Sequence, residues 1–168
     1  MIQRQFCWSD LHIDHYPALK HRGWFETLEE YQEDCAEKWD RIVAPQDTIY
    51  LVGDIAMTWD GLRWVSKRPG RKILILGNND KERENSIRDL LSVYDDVEGL
   101  MKHRKGFYFS HAPVHVSELR GRRNIHGHTH GKVITDPRYI NVCIDIARDG
   151  PVDLQDIVSK RYASFRSE

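Results

Sequence analysis

Thr48-Ile49-Tyr50-Leu51-Val52-Gly53-Asp54 is a short apolar run, rich in β-branched and aromatic residues, that stops on a glycine and a carboxylate. A run of this length over Thr48 to Val52 reads as a central strand buried on both faces, as in a parallel sheet. Packing gives no reason for Asp54 at its end. The same pattern recurs at Asp10-Leu11-His12, Gly77-Asn78-Asn79-Asp80, Ser110-His111 and Gly127-His128-Thr129-His130, each following a strand-like stretch. Ligand sites in open α/β sheets lie outside the carboxyl ends of strands, and Asp, His and Asn at several such ends point to a two-metal hydrolase.

Outward from Thr48 the chain alternates strands and helices. Gln5 to Ser9 reads as a first strand, followed by a polar loop over Asp14 to Gly23 that contains Pro17. From Trp24 to Val43 the apolar positions Trp24, Phe25, Leu28, Tyr31, Cys35, Trp39 and Ile42 recur at helical spacing, and Pro45 stops the helix. Ile73 to Leu76 reads as a second buried strand, with a short helix over Leu62 to Ser66 before it. Ser86 to Tyr94 reads as another helix, with Ile87, Leu90, Leu91 and Tyr94 on one side. The second half reads mainly as strands: Phe107 to Phe109, Asn124 to His126, Lys132 to Thr135 and Tyr139 to Ile146.

Composition narrows the class. A chain of 168 residues with 40% hydrophobic content suits a single domain over residues 1–168 and is short for two. Lys and Arg total 25 against 26 Asp and Glu, so no global field draws the protein to nucleic acid or membranes, and any basic site is local. The first apolar stretch runs straight into Asp10 and is neither a signal segment nor a membrane span, which leads to the expectation of a cytoplasmic protein. Cys7, Cys35 and Cys143 are odd in number and widely spaced, against a disulfide framework or thiolate zinc site, and Cys7 and Cys143 read as small core residues.

Each motif also has a plainer reading. Asp10 and His12 share a face if the strand continues, and converge on one ion if it ends there. Asp54 can cap a turn, Gly77-Asn78-Asn79-Asp80 can form an Asx turn, and His111 beside Pro113 can be a strand-end histidine. His126-Gly127-His128-Thr129-His130 is harder to explain by packing, because alternation is expected to send its imidazoles to one side. Imidazole nitrogen with carboxylate and amide oxygen is a set suited to manganese, iron, zinc or nickel.

Together, Asp10-x-His12, Gly53-Asp54, Gly77-Asn78-x-Asp80, His111 and Gly127-His128-x-His130 resemble the motif set of the calcineurin-like metallophosphoesterases, in family order and over nearly the whole chain. The stretches Asp47-Thr48-Ile49-Tyr50, Arg71-Lys72-Ile73-Leu74 and Tyr139-Ile140-Asn141-Val142 resemble the small single-domain members from bacteria and phages. The resemblance implies an α/β fold, α+β by some schemes: a four-layer α/β/β/α sandwich with a dinuclear metal site at one edge. One metal would be held by Asp10, His12 and His130, the other by Asn78, His111 and His128, with Asp54 bridging. Manganese is the expected ion, with iron, zinc, nickel or magnesium as alternatives. Two cations roughly 3.5–4 Å apart clamp a phosphoryl oxygen and generate a bridging hydroxide as nucleophile. Asp80 is expected to orient a histidine.

The chain departs from the family at Asn79, where members commonly carry a histidine that contacts phosphate and protonates the leaving alcohol. An amide donates a hydrogen bond but gives up no proton, and losing a general acid costs on the order of 10²-fold with poor leaving groups. His15 and His126 are the candidates to replace it. Arg122 and Arg123, in Arg120-Gly121-Arg122-Arg123, either offer guanidinium forks to a phosphate or form a solvated turn. Lys102-His103-Arg104-Lys105 reads as an ordinary charged hairpin, and Trp24, Phe25, Trp59 and Trp64 as core, with base stacking the alternative.

The resulting expectation is a phosphodiesterase acting on a cyclic nucleotide, a nucleotide-containing molecule or an RNA end, away from membranes. The alternatives are a phosphomonoesterase or nucleotide pyrophosphatase, and a metal-binding scaffold for protein interaction that has lost turnover.

Overall fold

In chain order the strands are Gln5–Trp8 (β1), Thr48–Leu51 (β2), Arg71–Ile75 (β3), Asp96–Glu98 (β4), Leu100–His103 (β5), Phe107–Ser110 (β6), Arg123–His126 (β7), Tyr139–Asn141 (β8) and Val152–Asp153 (β9). The helices are Tyr16–Arg22 (α1), Leu28–Ile42 (α2), Trp59–Ser66 (α3), Ile87–Leu91 (α4) and Leu154–Val158 (α5). The computed structural model describes residues 3–81 and 84–162. One sheet has the order β4-β3-β2-β1-β9 and the other β5-β6-β7-β8. Apart from the antiparallel pairs β1–β9 and β5–β6, every ladder is parallel. The architecture is mixed α/β, with its ligand-type residues at the carboxyl ends of β1, β2, β3, β6 and β7.

The expected buried strands are present, and their apolar side chains fill the interior. Tyr50 of β2 stacks on Phe109 of β6 with ring centroids 4.7 Å apart, linking the two sheets. A parallel bridge between Ser9 and Cys143 continues the pairing past the strand ends. On the helical side Trp8 meets Trp39, and Trp39 meets Trp64, in edge-to-face contacts. The indole N–H groups of Trp8 and Trp39 donate to Ala147 O and Pro69 O, so these large rings are buried without orphaning a donor. Cys7, Cys35 and Cys143 are all free and buried.

Several boundaries differ from expectation. Residues 14–23 are not simply a loop: α1 forms there, because Pro17 lies in the first turn, where its missing N–H costs nothing, and Gly23 closes the helix in the left-handed conformation. The helix expected from Trp24 begins at Leu28, because Thr27 and Glu30 form a capping box that fixes its start. Lys132 to Thr135 forms no strand, since Asn141 Nδ2 draws its backbone inward by donating to His130 O and Lys132 O. The strand expected over Tyr139 to Ile146 ends at Asn141, and its remainder turns after the Cys143 bridge. Strands β4, β5 and β9 and helix α5 are short and lack a clear apolar period. No helix among the described residues is long and apolar enough to cross a membrane.

Candidate metal centre

The strand exits are built to bring backbone and side chains unusually close. Asp10 N–H donates to Gly53 O and His12 N–H to Asp54 O, so the exits of β1 and β2 run together beyond the sheet. Asp10, His12, Asp54, His128 and His130 all have positive φ, between 49° and 67°, a region that non-glycine residues enter at a cost of about 1 kcal/mol or more each. Gly127 permits the closest approach: a Cβ there would overlap Ser9 Oγ and Asp10 Oδ2. Gly53, at φ 83°, likewise leaves room for the His111 ring.

This backbone gathers two side-chain groups. Asp10, His12 and His130 form one; His130 Nε2 lies 3.9 Å and His12 Nε2 4.0 Å from Asp10 Oδ1, and the two rings stack at 5.3 Å. Asp10, Asp54 and His111 form the other, each trio being able to converge on a single ion. Asp54 Oδ2 sits 3.4 Å from His111 Nε2 and 3.9 Å from His12 Nε2, so it faces both groups. Asn78 Oδ1 and His128 Nδ1 approach His111 Nε2 to 3.1 and 3.2 Å. All the expected metal-ligand residues therefore lie in this one cluster.

The chemistry of the donor atoms fits a cation. His12 is 5% exposed, yet both its ring nitrogens lack a hydrogen-bond partner, which is costly for buried polar atoms unless something else occupies their lone pairs. Burial lowers its pKa to about 3, keeping the imidazole neutral and available as a ligand. His111 Nδ1 meets Val52 O at 2.9 Å, which directs a proton to Nδ1 and turns Nε2 toward the cluster. Burial opposes the charged form of His111, but the hydrogen bond to Asp54 and the charges of Asp10 and Asp54 lift its pKa to about 9. Burial likewise opposes charge on Asp54, yet His111 and Asn79 hold its pKa at about 2. Two buried carboxylates beside the neutral His12 ring offer a divalent ion anionic oxygen and imidazole nitrogen together, and such an ion would take the place of the His111 proton.

Other residues hold the cluster in place. Asp145 Oδ2 accepts from His130 Nδ1 at 3.2 Å and from Arg22 at 2.9 Å, and these bonds keep its carboxyl well below the usual range against the effect of burial. Arg22 also donates to Asp10 O, Leu11 O and the Tyr31 hydroxyl. Ser9 Oγ and Cys143 Sγ both donate to Asp10 Oδ2. Sequence reading missed Asp145, Arg22 and Ser9, and took Cys143 only as core. Asp145 lies two residues beyond Cys143, at the end of a stretch read as strand, and Arg22 lay in a stretch read as loop.

The remaining expected residues are placed as follows. Asp80 meets no histidine among the described residues. It is fully buried, which pushes its pKa up to about 6, and accepts the backbone N–H groups of Gly77, Asp54 and Ile55 at 2.7, 3.0 and 2.9 Å. The histidine-orienting role expected of it falls instead to Asp145. Asn79 turns onto Asp54, its backbone N–H and Nδ2 donating to the two carboxylate oxygens at 2.9 and 2.6 Å. The His15 ring stacks on His12 at 5.5 Å.

His126 does not share a face with His128 and His130. It is buried in β7 against Tyr139, because Gly127 ends the strand and the next residues leave the period of two. Arg122 and Arg123 are also outside the cluster: Arg122 lies over Tyr108, and Arg123 lies over Phe107 and donates to Ile157 O. Trp24 receives Arg22 and Arg148 on its ring, Phe25 packs against Tyr31 and Trp64 against Trp39, whereas Trp59 is half exposed.

Fold and site together define an α/β protein with Asp/His groups able to hold metal at the carboxyl edge of its strands. No protein-family model matches the sequence. The Gene 66 protein of Mycobacterium phage L5 is 32% identical over 188 aligned positions, spanning 87% of this chain and 91% of its own length. The Gene 66 protein of Mycobacterium phage D29 is 31% identical over 176 positions, spanning 84% and 87%. The chain belongs to the family of these mycobacteriophage Gene 66 proteins. In fold it is similar to AQ665 from Aquifex aeolicus, a protein of unknown function, with a TM-score of 0.75 and 20% identity over 96% of this chain and all of that one. A novel archaeal phosphodiesterase superposes at a TM-score of 0.48, a likeness too loose to bear on function.

Proposed function

We propose that this chain is a metal-dependent phosphodiesterase with the four-layer calcineurin-like arrangement, acting on a nucleotide-containing substrate. The observation that carries the proposal is the pair of Asp/His groups that share Asp10, the second of them containing Asp54, whose carboxylate also faces His12 of the first. One cation would be held by Asp10, His12 and His130, the other by Asn78, His111 and His128, and Asp54 would serve both. Two divalent ions held there, manganese being the expected species, would supply Lewis-acid polarisation of a phosphoryl oxygen and a lowered pKa for a bound water.

The chain's own groups set the conditions for that chemistry. Val52 O and Asp145 orient His111 and His130 so that each Nε2 is presented to the site. Asn79 anchors Asp54 and can offer hydrogen-bonding capacity, but no proton, to a phosphoryl oxygen. His126 is sealed in its strand, so His15, stacked on His12, is the side chain left to protonate a leaving alcohol. Substrates with good leaving groups are accordingly expected to turn over best.

The test is hydrolysis of bis-p-nitrophenyl phosphate, p-nitrophenyl phosphate and a dinucleoside polyphosphate by metal-stripped protein with manganese, nickel, zinc or magnesium restored. Diester cleavage that needs metal and disappears in Asp54→Asn is expected. Faster cleavage of the monoester or polyphosphate would reassign the substrate. Absence of turnover with metal bound would favour the scaffold reading, which Asn79 keeps open.

A further inference from the structure

The opposite ends of these strands carry a different kind of surface. Lys102, Arg104 and Lys105 on the β5–β6 hairpin and Arg71 at the start of β3 are exposed, and Arg122 lies just before β7. Several basic side chains elsewhere are paired with a carboxylate: Lys38 with Asp34, Arg63 with Asp60, Arg68 with Asp40, Arg138 with Asp136 and Arg161 with Asp156. Among the described residues, no carboxylate comes within ion-pair distance of Lys102, Arg104, Lys105, Arg71 or Arg122. The contrast matters because the chain as a whole has a net charge of only −1, so this pole is positive by arrangement rather than by composition.

Four of these cations, Lys102, Arg104, Lys105 and Arg122, line two clefts that share Arg104. Lys102, His103, Arg104 and Arg122 border one of 230 Å³. Arg104 also borders the second, of 360 Å³, with Lys105 and the amides of Gln3, Gln5 and Gln155. The carboxylate in the second cleft, Asp153, is engaged in capping α5 through Gln155 N–H. His103, which borders the first cleft, is buried against Tyr50, whose hydroxyl meets its Nε2 at 3.3 Å. Strand β6, four residues long at ~3.3 Å per residue, separates this pole from His111 by roughly 13 Å.

We propose that this pole is a second binding site, for the sugar-phosphate backbone of a single nucleic-acid strand. Unpaired guanidinium and ammonium groups with neutral amides between them match a succession of phosphates and ribose hydroxyls. A lipid surface fits less well, because stable interfacial binding draws on exposed apolar side chains beside the charges, and no large apolar side chain lines either cleft. The two small clefts, joined through Arg104, offer a short path for one strand rather than the broad face that a duplex needs. The site lies away from the metal cluster and does not depend on the phosphodiesterase proposal.

The experiment is fluorescence anisotropy of labelled single-stranded RNA and DNA 12-mers with the full chain in EDTA, so that metal and cleavage play no part, across a range of salt. Four phosphate contacts predict a slope of log K against log salt of about −3 for a single strand. Lys102→Glu/Arg104→Glu/Lys105→Glu should lose at least tenfold in affinity and most of that slope, with its circular dichroism spectrum and melting temperature retained. Arg63→Glu/Arg138→Glu, a reversal elsewhere on the surface, should bind like the parent. Equal RNA and DNA affinities assign recognition to phosphate alone, whereas tighter RNA binding adds the 2′-hydroxyl; both support the site. Unchanged affinity in the hairpin variant, loss of affinity in the control variant, or binding to phosphatidylserine vesicles but not to either oligonucleotide would overturn it.

Discussion

Asp80 offers the sharpest test of how the candidate metal centre is held. Its carboxylate accepts three backbone N–H groups, those of Asp54 and Gly77 on Oδ2 and that of Ile55 on Oδ1, tying the exit of β2 to that of β3. In Asp80→Asn the single remaining oxygen can serve the first pair, but the new amide then points its own N–H at Ile55 N–H. Leaving one buried donor unsatisfied costs about 1–3 kcal/mol. For a chain of this length each kcal/mol corresponds to roughly 2–4 °C, so the melting temperature should fall by about 2–12 °C at pH 7.5. Asp80→Ala removes every acceptor and should cost roughly 3 kcal/mol or more. Because Asp54 and Gly77 hang from this carboxylate, manganese affinity should also fall by about 10–100-fold, as when groups that position metal ligands are removed. Calorimetric melting and isothermal titration with manganese measure the two effects. An Asp80→Asn protein that melts with the parent and binds manganese equally well would refute the reasoning.

Three further outcomes are expected. Asp145→Ala frees the His130 ring and removes the carboxylate partner of Arg22, so manganese affinity should drop about 10–100-fold by isothermal titration; undiminished affinity would remove Asp145 from the site. Asp47 is buried and accepts the N–H groups of Ala44 and Arg4, which hold its pKa below the usual 3.8 despite burial. A depressed carboxyl pKa contributes stability that is full above the unfolded value and lost as pH falls through the folded one. Asp47→Asn should therefore cost about 1.5–3 kcal/mol in urea melts at pH 7, a gap that narrows below about pH 4; a gap independent of pH would contradict this assignment. Asn79→His should accelerate hydrolysis of esters with poor leaving groups more than of nitrophenyl esters, and equal acceleration of both would dismiss a missing proton donor as the role of that position.

What could be read from sequence and what could not divide on physical grounds. Asp54, His111 and His128 end buried strands, where a polar residue contradicts the pattern before it and announces a purpose. Arg22 and Asp145 send no such signal, because an arginine near a proline and an aspartate after a strand are ordinary; only the return of the chain through the Ser9–Cys143 bridge brings them together. Helix α1 was obscured by Pro17, which can break a helix or begin one, and the capped start of α2 left Trp24 and Phe25 outside a helix that apolar spacing alone would extend to them. His126 shows how one glycine defeats periodicity, since the alternation predicted for its ring stops at Gly127. Lys102-His103-Arg104-Lys105 reads in sequence as an ordinary charged hairpin, and only its placement beside Arg122, with no ion-pair partner among the described residues, sets it apart.

The most direct test of the central claim is an anomalous difference map from crystals of the protein soaked in manganese. The account predicts two peaks, one among Asp10, His12, His130 and Asp54 and one among Asp54, Asn78, His111 and His128, both weakened in Asp54→Asn. A map without density at either position, or with manganese bound only elsewhere, would contradict it.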